Sequence, residues 1–252
     1  MADQPHREIP GQPSRKKLII EVLVFLFFLI LLAEIEGLFF LVKPGRLSEP
    51  AFLGVALLFI IKLLALTALI FFFAWQNGEP LARFGLNFKN GWRDVGLGIL
   101  LFFPLMLIVW FGMQLTYLVH LVFPGLLKEI SHIPQILIPQ KGEILLAFIL
   151  VCVVAITEEI IFRGYLLQRF LAILGNATAA IFLSSALFAL GYVYKTFLGV
   201  VIIGFPGVVA MFFVGIFYAF LFLRRQSLVA PIVLHLLQDF ILVLIPIINL
   251  IS

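Results

Sequence analysis

The stretch "ILLAFILVCVVAITEEIIFRGYLLQRF", Ile144–Phe170, runs an unbroken apolar segment directly into two adjacent glutamates and an arginine. Its apolar part shows no period-2 alternation, and with the residues that follow it reaches the roughly 20 helical residues that a hydrocarbon core requires. The rest of the chain has the same character. Of its 252 residues, 63% are hydrophobic and only 12% are charged, against about half and a quarter in an ordinary soluble domain. Lipid cannot satisfy free backbone N–H and C=O groups, so continuous apolar runs of this kind are helices. The predicted fold class is all-α: a polytopic membrane helix bundle of about seven transmembrane helices, with a polar cluster inside it.

Outward from Ile144–Phe170, seven spans are predicted near 18–42, 51–75, 94–122, 144–166, 176–194, 197–223 and 228–250. They are separated by "KPGRLSEP", "QNGEP", "FPG" and "LGN", ordinary turn chemistry. Pro104, Pro206 and Pro231 fall near or within spans, where kinks or unwound turns are expected, and "GFPG" at 204–207 could mark a broken or re-entrant helix. Residues 1–17 read as a disordered basic cytoplasmic tail, followed by one transmembrane domain over 18–252. The first span reads as a signal anchor, because its apolar stretch is too long for a removable signal peptide. Cys152 is the single cysteine, so no intrachain disulfide can form. With the N-terminus inside, eleven Lys and Arg fall on the cytoplasmic side and five outside, which predicts N-in and C-out; a short seven-span chain suits a prokaryotic cell membrane. The net charge of +4 is spread over loops without a basic patch, so no nucleic-acid partner is expected.

Ionisable groups at membrane depth face a partner or a wet cavity. Glu34, Glu36, Lys62, Glu158, Glu159, Arg163, His235 and Asp239 all fall within spans or at their edges. Glu34 and Lys62 suit a structural ion pair between the first two helices. Glu159 and Arg163 are four residues apart and can pair along a helix. Glu158 lies about 100° around the helix from Glu159, a position suited to a general base acting on water. The alternative is a helix end whose charges reach the interface, with Arg169 marking the boundary. In "PIVLHLLQDF", His235 and Asp239 share a face. They could form a satisfied hydrogen bond, donate to an oxyanion, or ligate a metal with Glu158 or Glu159.

"EEIIFRGYL", Glu158–Leu166, resembles the glutamate-glutamate-x-x-x-arginine signature of the CPBP intramembrane proteases, with the usual phenylalanine before the arginine and Gly164 after it. That group includes CAAX prenyl endopeptidases and bacteriocin-processing and self-immunity proteins. The resemblance covers about 144–250. It implies that Glu158 and a middle-motif histidine activate water, that Glu159 and Arg163 support them, and that a final histidine and asparagine stabilise the oxyanion. Here the middle motif supplies Ser184, Ser185 and Phe188 but Tyr192 in place of histidine, and the final motif is His235 with Asp239. A phenol cannot accept a proton as a neutral imidazole does, although its hydroxyl can hold a water. An aspartate facing an oxyanion repels it unless protonated or paired with His235. Nothing in the spacing ties His120 or His132 to the cluster.

The leading function is thus an intramembrane glutamic-type endopeptidase without a cofactor, acting near the C-terminus of a membrane-associated peptide or protein. A silent relative that binds a peptide or partner protein is the alternative. A carrier using buried carboxylates and a divalent-metal enzyme using carboxylates with His235 stand behind these, the former weakened by the lack of an inverted repeat.

Overall fold

A computed structural model describes residues 13–42, 49–122, 144–191, 196–197, 200–201 and 205–251, with side chains over 13–32, 54, 56–118, 121–122, 144–191 and 208–241. Each of the seven segments expected to span contains a helix. These are α1 (Arg15–Val42), α2 (Glu49–Gln76), α3 (Gly91–Leu100), α4 (Phe102–Val122), α5 (Ile144–Glu159), α6 (Leu167–Leu174), α7 (Ala177–Gly191), α8 (Phe205–Arg225) and α9 (Val229–Ile251). A 3-10 turn at Leu81–Phe84 precedes α3, and a π-helical turn at Ile160–Leu166 joins α5 to α6. The other regular structure among the described residues is a minimal antiparallel pair, β1 (Thr196–Phe197) with β2 (Val200–Val201).

Among the described residues, Ala56–Gln76, Ile144–Leu174 and Val208–Arg225 are long and apolar enough to cross a membrane alone. The bent pair Gly91–Leu100 and Phe102–Leu118 makes a fourth. Its 44° bend has a local cause. Pro104 lacks the N–H that would bond the carbonyl of Leu100, where α3 ends, and a proline ring disfavours continuing a helix through that turn. Pro206 and Pro231 sit in the first turns of α8 and α9, where no intrahelical N–H is needed, so they mark helix starts. The expected span at 197–223 is shorter than predicted for the same reason: helix begins only at Phe205, within "GFPG". α1 begins at Arg15, inside the stretch expected as tail, with the Lys17 amide donating to Ser14 Oγ at 3.3 Å. Residues 1–12 lie outside those described.

Lipid offers helices no hydrophobic incentive to associate, so close packing through small residues has to supply it. α8 packs against both α4 and α7, while α9 packs against α3 and α5. At the α4–α8 contact, a Cβ on Gly112 would lie 2.5 Å from Ala210 Cα, which is backbone and cannot rotate away. Gly112→Val is therefore expected to destabilise the bundle by about 1–3 kcal/mol, read as a lower unfolding midpoint in detergent. An unchanged midpoint would mean that these helices do not meet there.

Buried ion pairs bring several helix ends together at one end of the bundle. Arg169 grips Glu79 in a bidentate pair at 2.8 and 2.6 Å and reaches Glu21 at 3.2 Å. Asn77 Nδ2 donates to Glu21 at 2.8 Å, and Arg225 binds Asp94 at 2.7 Å. The start of α1, the end of α2, the start of α3 and the end of α8 thus share the end that carries Arg15, Lys16, Lys17, Arg83, Lys89, Arg93, Arg224 and Arg225. Arg169, read from the sequence as marking the membrane boundary, is only 1% exposed and lies inside this cluster at the basic end of the bundle.

Candidate active site

The Ile144–Phe170 stretch enters the core. Glu158 and Glu159 are the last residues of α5, and every residue of the π turn behind them is buried. In that turn the Leu167 amide donates to the Phe162 carbonyl, five residues back, and Ser184 Oγ on α7 donates to the same carbonyl at 2.8 Å. π turns of this kind recur at functional sites. The chain can approach so closely here because residue 164 is glycine: a Cβ would lie 2.8 Å from the Phe84 carbonyl oxygen of the 3-10 turn. On the same turn, Tyr165 packs its ring against Phe25 from α1, Phe73 from α2 and Phe84.

Glu159 is the hub of the site. Its Oε1 accepts from Arg163 Nη1 at 2.8 Å and lies 2.9 Å from His235 Nδ1 on α9. All three side chains are at most 1% exposed. An ionised carboxylate oxygen only accepts, so Nδ1 carries a proton. His235 Nε2 then faces Asp239 Oδ2 at 3.5 Å, one turn further along α9 and too long for a good hydrogen bond. Glu159 Oε2, Arg163 Nη2 and His235 Nε2 are buried and lack a hydrogen-bond partner among the described residues. Native interiors rarely leave such atoms unmet, so this group of atoms has capacity for a polar guest.

Arg163 is also held between two rings, its guanidinium 4.1 Å from the Phe188 centroid and 4.9 Å from that of Tyr218. Tyr218 stacks obliquely on His235 at 5.6 Å and donates its hydroxyl to Gln238 Oε1 at 3.1 Å. Glu158 is buried beside Glu159.

Of the six residues singled out from sequence, Glu158, Glu159, Arg163, His235 and Asp239 are thus gathered from α5, the π turn and α9. Tyr192 lies outside the described residues, as do His132 and the side chains of Glu34, Glu36 and His120. Lys62 is described and places its Nζ 4.0 Å from the Phe59 ring. Tyr218 and Gln238 were missed. Tyr218 sits in an apolar run with no charge to mark it, Gln238 stands uncharged next to Asp239 in "PIVLHLLQDF", and only the packing of α8 and α9 brings the two together. Among the described residues, no three His, Cys, Asp or Glu side chains are arranged to hold one metal ion.

No curated protein and no solved structure matches the chain. Residues 140–241 contain all the described residues of this site; they match the family model "Rce1-like: type II CAAX prenyl endopeptidase Rce1-like", in agreement with the CPBP family that Glu158–Leu166 resembles.

Proposed function

We propose that this protein is a glutamic-type intramembrane endopeptidase that cuts a membrane-associated peptide or protein near its C-terminus. The Rce1-like match points to a protease-type enzyme in the membrane. The observation that carries the finer reading is the buried Glu159 oxygen shared by Arg163 and His235, one residue from Glu158. Glu159 holds the cation and the imidazole, and Glu158, buried beside it, is the carboxylate to which the family resemblance gives the role of base. In this reading Glu158 takes a proton from water as the water oxygen bonds to the scissile carbonyl carbon. His235, when its ring is charged, donates through Nε2 to the oxygen that becomes negative. Collapse of the tetrahedral species breaks the C–N bond, and the proton held by Glu158 passes to the departing amine.

The chain sits N-terminus inside, in a prokaryotic cell membrane, with its basic end on the cytoplasmic face. The gathering of Arg15, Lys16, Lys17, Arg83, Arg93, Arg224 and Arg225 at one end of the bundle supports this orientation. A second reading, a silent relative that binds a partner, is favoured by the Asp239 carboxylate beside the nitrogen that an oxyanion would need. Purified protein reconstituted with a membrane-anchored peptide separates these readings. Hydrolysis that persists at full rate after exhaustive chelation is the expected result. Loss on chelation with recovery on adding a divalent ion points to the metal enzyme, and no hydrolysis across a peptide library points to the silent relative.

A further inference from the structure

Outside the active-site cluster, the start of α3 carries side chains that the proposed hydrolysis does not use. Phe88 and Trp92 are 72% and 89% exposed. With Lys89 and Arg93 they border a pocket of about 640 Å³ that is also lined by Val95 and Val229. The neighbouring acid, Asp94, is buried and bound to Arg225, so it leaves the two positive charges at the pocket mouth uncompensated. Below the mouth an apolar track follows the helix. Trp92, Gly96 and Ile99 lie on one face, with Leu100 beside them, and all are exposed. A Cβ on Gly96 would meet nothing within 4 Å, so the track is notched at its middle. From Arg93 to Leu100 it descends about 10 Å at the helical rise.

A cationic mouth that opens onto an apolar, notched track complements an anionic head on an acyl chain. We propose that the Phe88–Arg93 pocket and the exposed face of α3 bind one anionic phospholipid from the leaflet at the basic end of the bundle. Lys89 and Arg93 hold its phosphate, Trp92 lies at headgroup level, and one acyl chain runs over Gly96 toward Ile99 and Leu100. A juxtamembrane cation strengthens attraction to anionic lipid several-fold, and two act together here. The aromatic pair suits this depth, where one edge of the ring is wet and the other apolar.

The chain has three tryptophans, so Trp75→Phe/Trp110→Phe leaves Trp92 as the only reporter. This protein, in uncharged detergent, is titrated with brominated phosphatidylglycerol or with brominated phosphatidylcholine of equal chain length. Half-quenching of Trp92 is expected at a mole fraction about tenfold lower for the anionic lipid. Lys89→Gln/Arg93→Gln should bring the two lipids within about twofold of each other. Arg224→Gln, which removes an exposed cation at the same end but outside the pocket, should leave the preference intact. Equal quenching by both lipids, a preference that survives Lys89→Gln/Arg93→Gln, or displacement of the lipid by inorganic phosphate would each overturn the proposal. Should the two phenylalanine substitutions unfold the protein, native mass spectrometry of the unsubstituted chain and of Lys89→Gln/Arg93→Gln reads the same preference as bound-lipid counts.

Discussion

Glu158→Gln is expected to lower peptide-bond hydrolysis by about 10³-fold, within the range for loss of a general base, while KM and the unfolding midpoint move little. Glutamine keeps the shape and a carbonyl acceptor but cannot take a proton from water. The fold should tolerate it, because the substitution is isosteric and Glu159 keeps its contacts to Arg163 and His235. A fall in kcat with KM preserved marks an interaction made in the transition state, whereas a rise in KM alone would mark a residue that only binds substrate. Turnover by Glu158→Gln at the rate of the unsubstituted protein would remove Glu158 from the chemistry.

The second large effect is structural. Glu159→Ala is expected to destabilise the bundle by about 3–5 kcal/mol, the usual consequence of removing one partner from a buried ion pair. The Arg163 guanidinium is 1% exposed, so no solvent reaches it when the carboxylate goes. Phe188 and Tyr218 still face the cation, and a desolvated cation–π contact contributes about 2 kcal/mol. The rings therefore soften the loss without cancelling it. The sign of the effect has an independent check: Glu159→Ala/Arg163→Met removes the stranded charge and should recover much of the lost stability. Unfolding in mixed micelles measures both. A double variant no more stable than Glu159→Ala would show that the arginine is solvated after all.

What the sequence made legible is local. Glu159 with Arg163 and His235 with Asp239 are one helical turn apart, so helical geometry alone places each pair on a shared face. The bend after α3 was legible from Pro104, whose effect on the preceding turn is steric. The bond between His235 and Glu159 spans 76 residues, and no local periodicity encodes it. The same holds for the rings that enclose Arg163: Phe188 was marked by the middle motif but its contact with Arg163 was not, and Tyr218 reads as one of many apolar positions. Arg169 was legible as a charge near a span end, but its buried partners Glu21 and Glu79, both distant in sequence, were not. The π turn has no compositional mark, because its seven residues would also suit an α-helix.

The account turns on Glu159 joining α5 to α9 through His235, and a double-mutant cycle measures that join directly. Unfolding free energies are compared for the unsubstituted protein, Glu159→Gln, His235→Leu and the double variant. A coupling of about 1.5–3 kcal/mol is expected for a buried hydrogen bond to a charged group. Stability losses that simply add, within about 0.5 kcal/mol, would mean that the two side chains do not touch, and the site as described would not exist.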